Sequence, residues 1–138
     1  MTDLEHITPV DFGRSLRGIG VNLLCRDVMG MAAFLHDVFD LEIHRASKDF
    51  AIIRHGDWMM QLHADATYHA HPLLTLVPEL PPRGTGVQIY LFGVDPDQAV
   101  MRAPVEMVLE QPADKPHGLR EATILSPEGY AFSPARVV

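Results

Sequence analysis

The chain has 138 residues and a formal net charge of -7, from 11 Lys and Arg against 18 Asp and Glu. This length predicts one domain, and the acidic balance disfavours nonspecific binding to nucleic acid. A single cysteine, Cys25, lies in an apolar run, which excludes an internal disulfide and favours a reducing compartment. No stretch suits a membrane span and the polar start is no signal peptide, so we expect a soluble cytoplasmic protein without membrane partners.

The first strand and helix are predicted after an irregular lead-in. Pro9 and Gly13 interrupt residues 1–16, and a strand rich in Val, Leu and Ile then runs from Gly18 to Cys25. Asp27 suits a helix N-cap, because its carboxylate can accept from a backbone N–H that the first helical turn leaves unpaired. Apolar residues follow at steps of three and four, which predicts a helix with one face packed on a sheet. They are Val28, Met31, Ala32, Leu35, Val38 and Phe39.

The rest of the chain reads as strands, a connector and a second copy of the same pattern. Three strands are predicted at Leu41 to Ala46, Phe50 to His55 and Trp58 to Ala64. The polar, proline-bearing connector at residues 65–83 is long enough to be a functional or interface loop. Residues 84–89 then echo residues 18–23, and Asp95-Pro96 opens a second helix. A strand from Val105 to Glu110 and a closing hairpin complete the second copy.

The closing hairpin carries a recognisable motif. Gly118-Leu119-Arg120-Glu121 precedes an apolar strand, and Ser126-Pro127-Glu128-Gly129 forms a turn before Tyr130. This segment resembles the closing hairpin of the glyoxalase / bleomycin-resistance / extradiol-dioxygenase superfamily, also called vicinal oxygen chelate, where Asp usually stands in place of Ser126. The segment from Phe34 to Ile43 resembles that superfamily's helix exit, with Asp40 where Gly is common. Both departures suit their backbone conformations.

The resemblance covers roughly residues 17–135 and implies the fold. It implies one α+β domain over residues 1–138, with βαβββ modules at about 17–64 and 84–135 joined by the connector at 65–83. The strands of the two modules would form a curved, eight-stranded cleft, often completed or flanked by a second subunit. A homodimer is therefore expected. The sequence leaves open whether the modules pair within a chain or swap between chains.

The resemblance also locates the metal-ligand positions of the superfamily. Metal-dependent relatives use His, Gln or Glu on the first and fourth strands of each module. Here these positions fall at Gly20, Gln61, Gln88 and Ser133, with Asn22 as the only nearby substitute for Gly20. The set contains no carboxylate and no histidine, and neutral amides and hydroxyls are weak ligands for Zn, Ni, Fe or Mn. We expect no cofactor, with a divalent metal as the alternative.

Histidines elsewhere offer a second route to a metal. His63 shares a strand face with Gln61 by the period of two, and His69 and His71 share a parity in the connector. The three histidines either converge on a metal or lie solvated along a wall. Trp58 has the opposite parity, which predicts a core or interface position.

Three further side chains have two interpretations each. Arg120 either clamps an anionic or carbonyl ligand or forms a salt bridge to a local carboxylate such as Glu121 or Glu128. His117 is an acid or base, or an exposed loop residue. Tyr90 places its ring in the cleft or in the core.

These observations predict a small-molecule binding protein with a degenerate metal site. The expected ligand is apolar or aromatic, and no catalytic residue is assigned. The alternative is a metal-dependent lyase or dioxygenase that acts on vicinal oxygens of a small substrate. The predicted cleft consists of Asn22, Gln61, His63, Gln88, Tyr90, His117, Arg120 and Ser133.

Overall fold

The computed structural model describes residues 3–138, so that residues 1 and 2 of the predicted lead-in lie outside it. In chain order its helices and strands are α1 (Pro9–Ser15), β1 (Asn22–Cys25), α2 (Val28–Phe39), β2 (Glu42–His44), β3 (Phe50–His55), β4 (Trp58–Ala64), β5 (Gln88–Phe92), α3 (Pro96–Arg102), β6 (Val108–Asp114), β7 (Leu119–Leu125) and β8 (Ala131–Val137). Short 3₁₀ helices lie at Asp65–Tyr68, Pro72–Leu76 and Val105–Met107. Within residues 3–138, no helix is long and apolar enough to cross a membrane.

The strands form two four-stranded sheets with the same topology. The first has the order β1-β4-β3-β2 and the second has the order β5-β8-β7-β6. In each sheet the first strand of the module pairs in parallel with the last, and the other pairs are antiparallel. The predicted α+β fold of two βαβββ modules is confirmed. Its eight strands lie in two open sheets within the chain.

The two modules share one apolar core on the helix side of both sheets. All six residues of the predicted stripe on α2 are buried. Phe39 at the end of α2 contacts Phe132 of β8, with ring centroids 5.7 Å apart. Because side chains alternate along a strand, the opposite face of each sheet points away from this core. We call these opposite faces the outer faces of modules one and two.

The turn of the closing hairpin docks module two onto module one. The two carboxylate oxygens of Glu128 accept hydrogen bonds from the backbone N–H groups of Arg26 and Asp27, each at 2.9 Å. Both N–H groups lie at the start of α2, where a negative charge is favourable. The Tyr130 hydroxyl donates to the Leu24 carbonyl at 2.8 Å. The motif that carried the family resemblance therefore holds the two modules together.

The prediction of an irregular lead-in is wrong, because residues Pro9–Ser15 form α1. The Thr8 side chain accepts from the Asp11 N–H, which caps the helix, and Pro9 occupies the first turn, where its missing N–H costs nothing. Gly13 is tolerated within the helix. Phe12 packs with Leu4 and Ile52, so that α1 covers part of the outer face of module one.

Some predicted strand bounds also change. The strand predicted from Gly18 begins only at Asn22, since Gly18 has a left-handed backbone with φ of 74°. The strand predicted from Val105 begins at Val108, after a 3₁₀ turn, and continues to Asp114. The bounds of β3 and β4 agree with the prediction.

Candidate functional site

The polar residues predicted in module one lie together on its outer face. The β1–β4 register places Asn22 opposite Gln61 and Leu24 opposite His63. His63 Nε2 lies 3.3 Å from Gln61 Oε1, and the Asn22 amide donates to the Tyr68 hydroxyl at 3.1 Å. The polar groups of these side chains therefore form hydrogen bonds with one another within the module.

The predicted histidine cluster is separated by an aromatic ring. Tyr68 lies between His63 and His71, with ring centroids 5.4 Å and 5.0 Å away. Burial lowers the pKa of His63, and His71 Nδ1 accepts the Leu73 N–H at 3.0 Å. His69, directly after Tyr68, has a positive φ of 42°. Across residues 3–138, no three His, Cys, Asp or Glu side chains are arranged to hold a metal ion.

A pocket of about 390 Å³ lies between α1 and the outer face of module one. Phe12 and Leu16 line it on the helix side, and Phe50, Ile52 and Gln61 line it on the sheet side. Sequence reasoning missed this pocket because it assigned no helix to the lead-in.

The predicted metal-ligand positions of module two bond to each other. The Gln88 amide donates to Ser133 Oγ at 2.7 Å, and Ser133 Oγ lies 2.9 Å from Thr123 Oγ1. Ser133 is fully buried on the outer side of the sheet. Thr123 was not predicted, although its alternation with Glu121 and Leu125 on β7 would have placed it on this face.

The outer face of module two also contains a buried carboxylate. Glu121 is 5% exposed; its Oε1 accepts from the Tyr90 hydroxyl at 3.1 Å, and its Oε2 lies 3.2 Å from His117 Nε2. Partial burial and the bond to Glu121 raise the pKa of Tyr90. Tyr90 and His117 were predicted in the cleft, whereas Glu121 was considered only as a partner of Arg120.

Arg120 lies on the helix side of its sheet. Its guanidinium forms two 2.8 Å bonds to Asp97 of α3 and one of 3.1 Å to Asp114. The Asp97 and Asp114 carboxylates raise its pKa further. The alternative of a salt bridge is therefore observed, with Asp97 and Asp114 as the carboxylates in place of the examples Glu121 and Glu128.

The larger apolar pocket lies where module one meets the free edge of β5. We call it the junction pocket; it has a volume of about 550 Å³. The rings of Tyr90 and Phe92 stack in parallel beside it, with centroids 5.0 Å apart. Its lining includes Ile19, Val21, Trp58, Met60, Tyr90 and Phe92.

Trp58 was predicted in the core or at an interface; it is 72% exposed, so the core position is wrong and the interface position stays a prediction. Along the helix-side face of β4, Leu62 is fully buried, Met60 is half-buried and Trp58 is exposed. The parity of Trp58 was assigned correctly, but the packed core ends before the strand does. This ring is consequently free to contact a ligand or a second subunit.

The comparisons with known proteins concern the fold. The chain matches no family model, and no curated protein matches it. A glyoxalase/bleomycin resistance protein/dioxygenase family enzyme from Burkholderia phytofirmans is similar in structure, with 23% identity and a TM-score of 0.68 over 86% of this chain and 97% of that chain. A glyoxalase-related enzyme from Fulvimarina pelagi gives 12% identity and a TM-score of 0.67, with 87% of each chain covered.

A third structure, a glyoxalase/bleomycin resistance protein/dioxygenase from Nocardioides, has 16% identity and a TM-score of 0.64 over 94% of this chain and 91% of that chain. At these identities the similarity establishes the architecture. The chain has the fold of glyoxalase/bleomycin-resistance/dioxygenase proteins, and the resemblance drawn from its closing hairpin and helix exit is confirmed at that level.

Proposed function

We propose that this protein binds a small apolar or aromatic molecule in the junction pocket without the help of a metal. The observation that carries the proposal is that Trp58 of module one lines the same apolar pocket as the stacked rings of Tyr90 and Phe92 of module two. Ligand pockets are typically 300–1,000 Å³ and mostly apolar, with few polar groups. The junction pocket has this size and character.

Burial of exposed rings supplies the driving force for such binding. Phe92 is 60% exposed and Trp58 is 72% exposed. Removing apolar surface from water is worth roughly 25 cal/mol per Å², and aromatic side chains offer large areas. A flat apolar molecule that covers both rings is therefore favoured over a charged one.

The residues at the superfamily's metal positions do not fit a divalent ion. Gly20 has no side chain, Gln61 contacts His63, and Gln88 and Ser133 bond to each other. A metal would have to displace these bonds to reach neutral oxygen ligands, which are weak for Zn, Ni, Fe and Mn. This chemistry favours binding over the alternative of a metal-dependent lyase or dioxygenase.

We also propose that the protein is a homodimer whose second copy covers the rim of the junction pocket. Ile19 is 87% exposed and lines the junction pocket together with the exposed rings of Trp58 and Phe92. Large contiguous apolar surfaces of this kind often mark contact sites. Sedimentation analysis should show a dimer that Ile19→Glu dissociates. A wild-type monomer at micromolar concentration would contradict this arrangement.

Binding can be tested with N-phenyl-1-naphthylamine, a neutral aromatic probe whose fluorescence rises in apolar sites. We expect saturable binding to the wild-type protein and at least tenfold weaker binding to Trp58→Ala and Phe92→Ala. Met101→Ala is the matched control, because Met101 is exposed on α3. Equal affinity of all four proteins would show that the probe binds elsewhere and would refute the pocket assignment.

A further inference from the structure

The outer face of module two contains an imidazole held by a buried carboxylate. The Glu121 carboxylate is bonded by the Tyr90 hydroxyl through one oxygen and by His117 Nε2 through the other. The His117 side chain is 53% exposed, whereas that of Glu121 is 6% exposed. A buried carboxylate that orients a solvent-facing imidazole is an arrangement suited to proton transfer.

The hydrogen bonds define the tautomer of His117. A carboxylate only accepts hydrogen bonds, so Glu121 requires the proton of the neutral imidazole to be on Nε2. The other ring nitrogen, Nδ1, is then unprotonated. It has no hydrogen-bond partner within residues 3–138, and it is therefore available to accept a proton from a bound molecule.

We propose that His117 is a general base, positioned by Glu121, that activates water for the hydrolysis of small aryl esters. Tyr90 links this pair to the junction pocket, since its hydroxyl bonds Glu121 while its ring stacks on Phe92. The aryl ring of an ester would contact these two rings. This activity goes beyond the proposed binding function.

The chemistry requires water alone as co-reactant. Nδ1 of His117 accepts a proton from water while the water oxygen bonds to the ester carbonyl carbon. The bond between that carbon and the aryl oxygen then breaks, and the aryl oxygen leaves with the electron pair. The proton on Nδ1 passes to the leaving oxygen or to solvent. Ser133 does not serve as a nucleophile, because it is fully buried and bonded to Gln88 and Thr123.

The positioning role of Glu121 can be tested by ¹⁵N NMR of the histidine rings. The wild-type protein should show His117 with its proton on Nε2. In Glu121→Gln, Tyr90 still donates to the side-chain oxygen, which turns the amide N–H₂ towards His117 Nε2 and moves the ring proton to Nδ1. A wild-type His117 protonated on Nδ1, or a tautomer unaffected by the substitution, would overturn the proposal.

Catalysis can be tested with 4-nitrophenyl acetate by following release of 4-nitrophenolate. General-base catalysis typically contributes 10²- to 10⁴-fold, and we expect at least a tenfold loss in His117→Gln and in Glu121→Gln. His6→Gln is a matched control, because His6 pairs with the carboxylate of Asp3 at 2.8 Å and both side chains are exposed. His117→Gln should also keep its affinity for N-phenyl-1-naphthylamine, which separates this test from the binding test. A wild-type rate in His117→Gln, or an equal loss in His6→Gln, would refute the proposal.

Discussion

Removal of the Glu128 carboxylate should weaken the contact between the two modules and lower the free energy of unfolding. Glu128 is buried in the turn between β7 and β8, and it bonds the backbone N–H groups of Arg26 and Asp27 at the start of α2. Truncation to Ala deletes both acceptors at once. The two N–H groups would then have only water that enters the vacated space.

The magnitude follows from the two bonds. A hydrogen bond to a charged group is worth about 1.5–3 kcal/mol, and water that enters the vacated space would recover part of the loss. We therefore expect Glu128→Ala to lower the free energy of unfolding by about 3 kcal/mol, which is two such bonds at the low end of that range. Glu128→Gln keeps one oxygen acceptor but places its amide N–H₂ against the other backbone N–H donor, so it should cost at least about half as much.

Urea unfolding followed by circular dichroism measures this change directly. Glu106→Ala is the control, since Glu106 is an exposed carboxylate in a 3₁₀ turn. A loss within about 0.5 kcal/mol for Glu128→Ala, the range typical of surface substitutions, would show that this turn does not hold the modules together.

Three further predictions concern backbone conformation and titration. Gly129→Ala should lower the free energy of unfolding in urea by at least about 2 kcal/mol. The φ of Gly129 is 86°, and a new Cβ would lie 2.3 Å from Pro82 Cα. The control Gly56→Ala, with φ of 58° in open space, should cost only about 1 kcal/mol. Burial raises the pKa of Tyr130 from 10.0 to about 12. Its contribution to stability should therefore be complete below pH 10 and lost as the pH rises towards 12. Tyr130→Phe should flatten this alkaline decline, and an unchanged profile would argue against a role of Tyr130 in it. Burial also raises the pKa of the Cys25 thiol to about 12, so 5,5′-dithiobis(2-nitrobenzoate) should label Cys25 only after unfolding, and rapid labelling of the native protein would contradict this.

The regular parts of the fold were predictable because their signals are local. The spacing of apolar residues from Val28 to Phe39 and the N-cap at Asp27 define α2 without any tertiary information. Alternation and short turns define β3 and β4. The lead-in failed because Pro9 and Gly13 were interpreted as breakers, although the Thr8 cap makes Pro9 a favourable first-turn residue.

The candidate site was less predictable because it depends on long-range pairing. Strand alternation placed Gln61 with His63 and Gln88 with Tyr90. It could not show that Gln88 reaches Ser133, or that the loop containing His117 returns over Glu121. Likewise, parity alone does not reveal where a core ends, which is why it left a core position open for Trp58. The cytoplasmic location and the dimer remain predictions.

The junction pocket should bind its ligand without a metal. The most direct test is the affinity for N-phenyl-1-naphthylamine in protein stripped with EDTA, compared with the same protein supplied with Zn, Ni, Fe or Mn. We predict the same dissociation constant in every case. Binding that is lost on stripping and restored by one of these metals would contradict metal-free binding and favour the metal-dependent alternative.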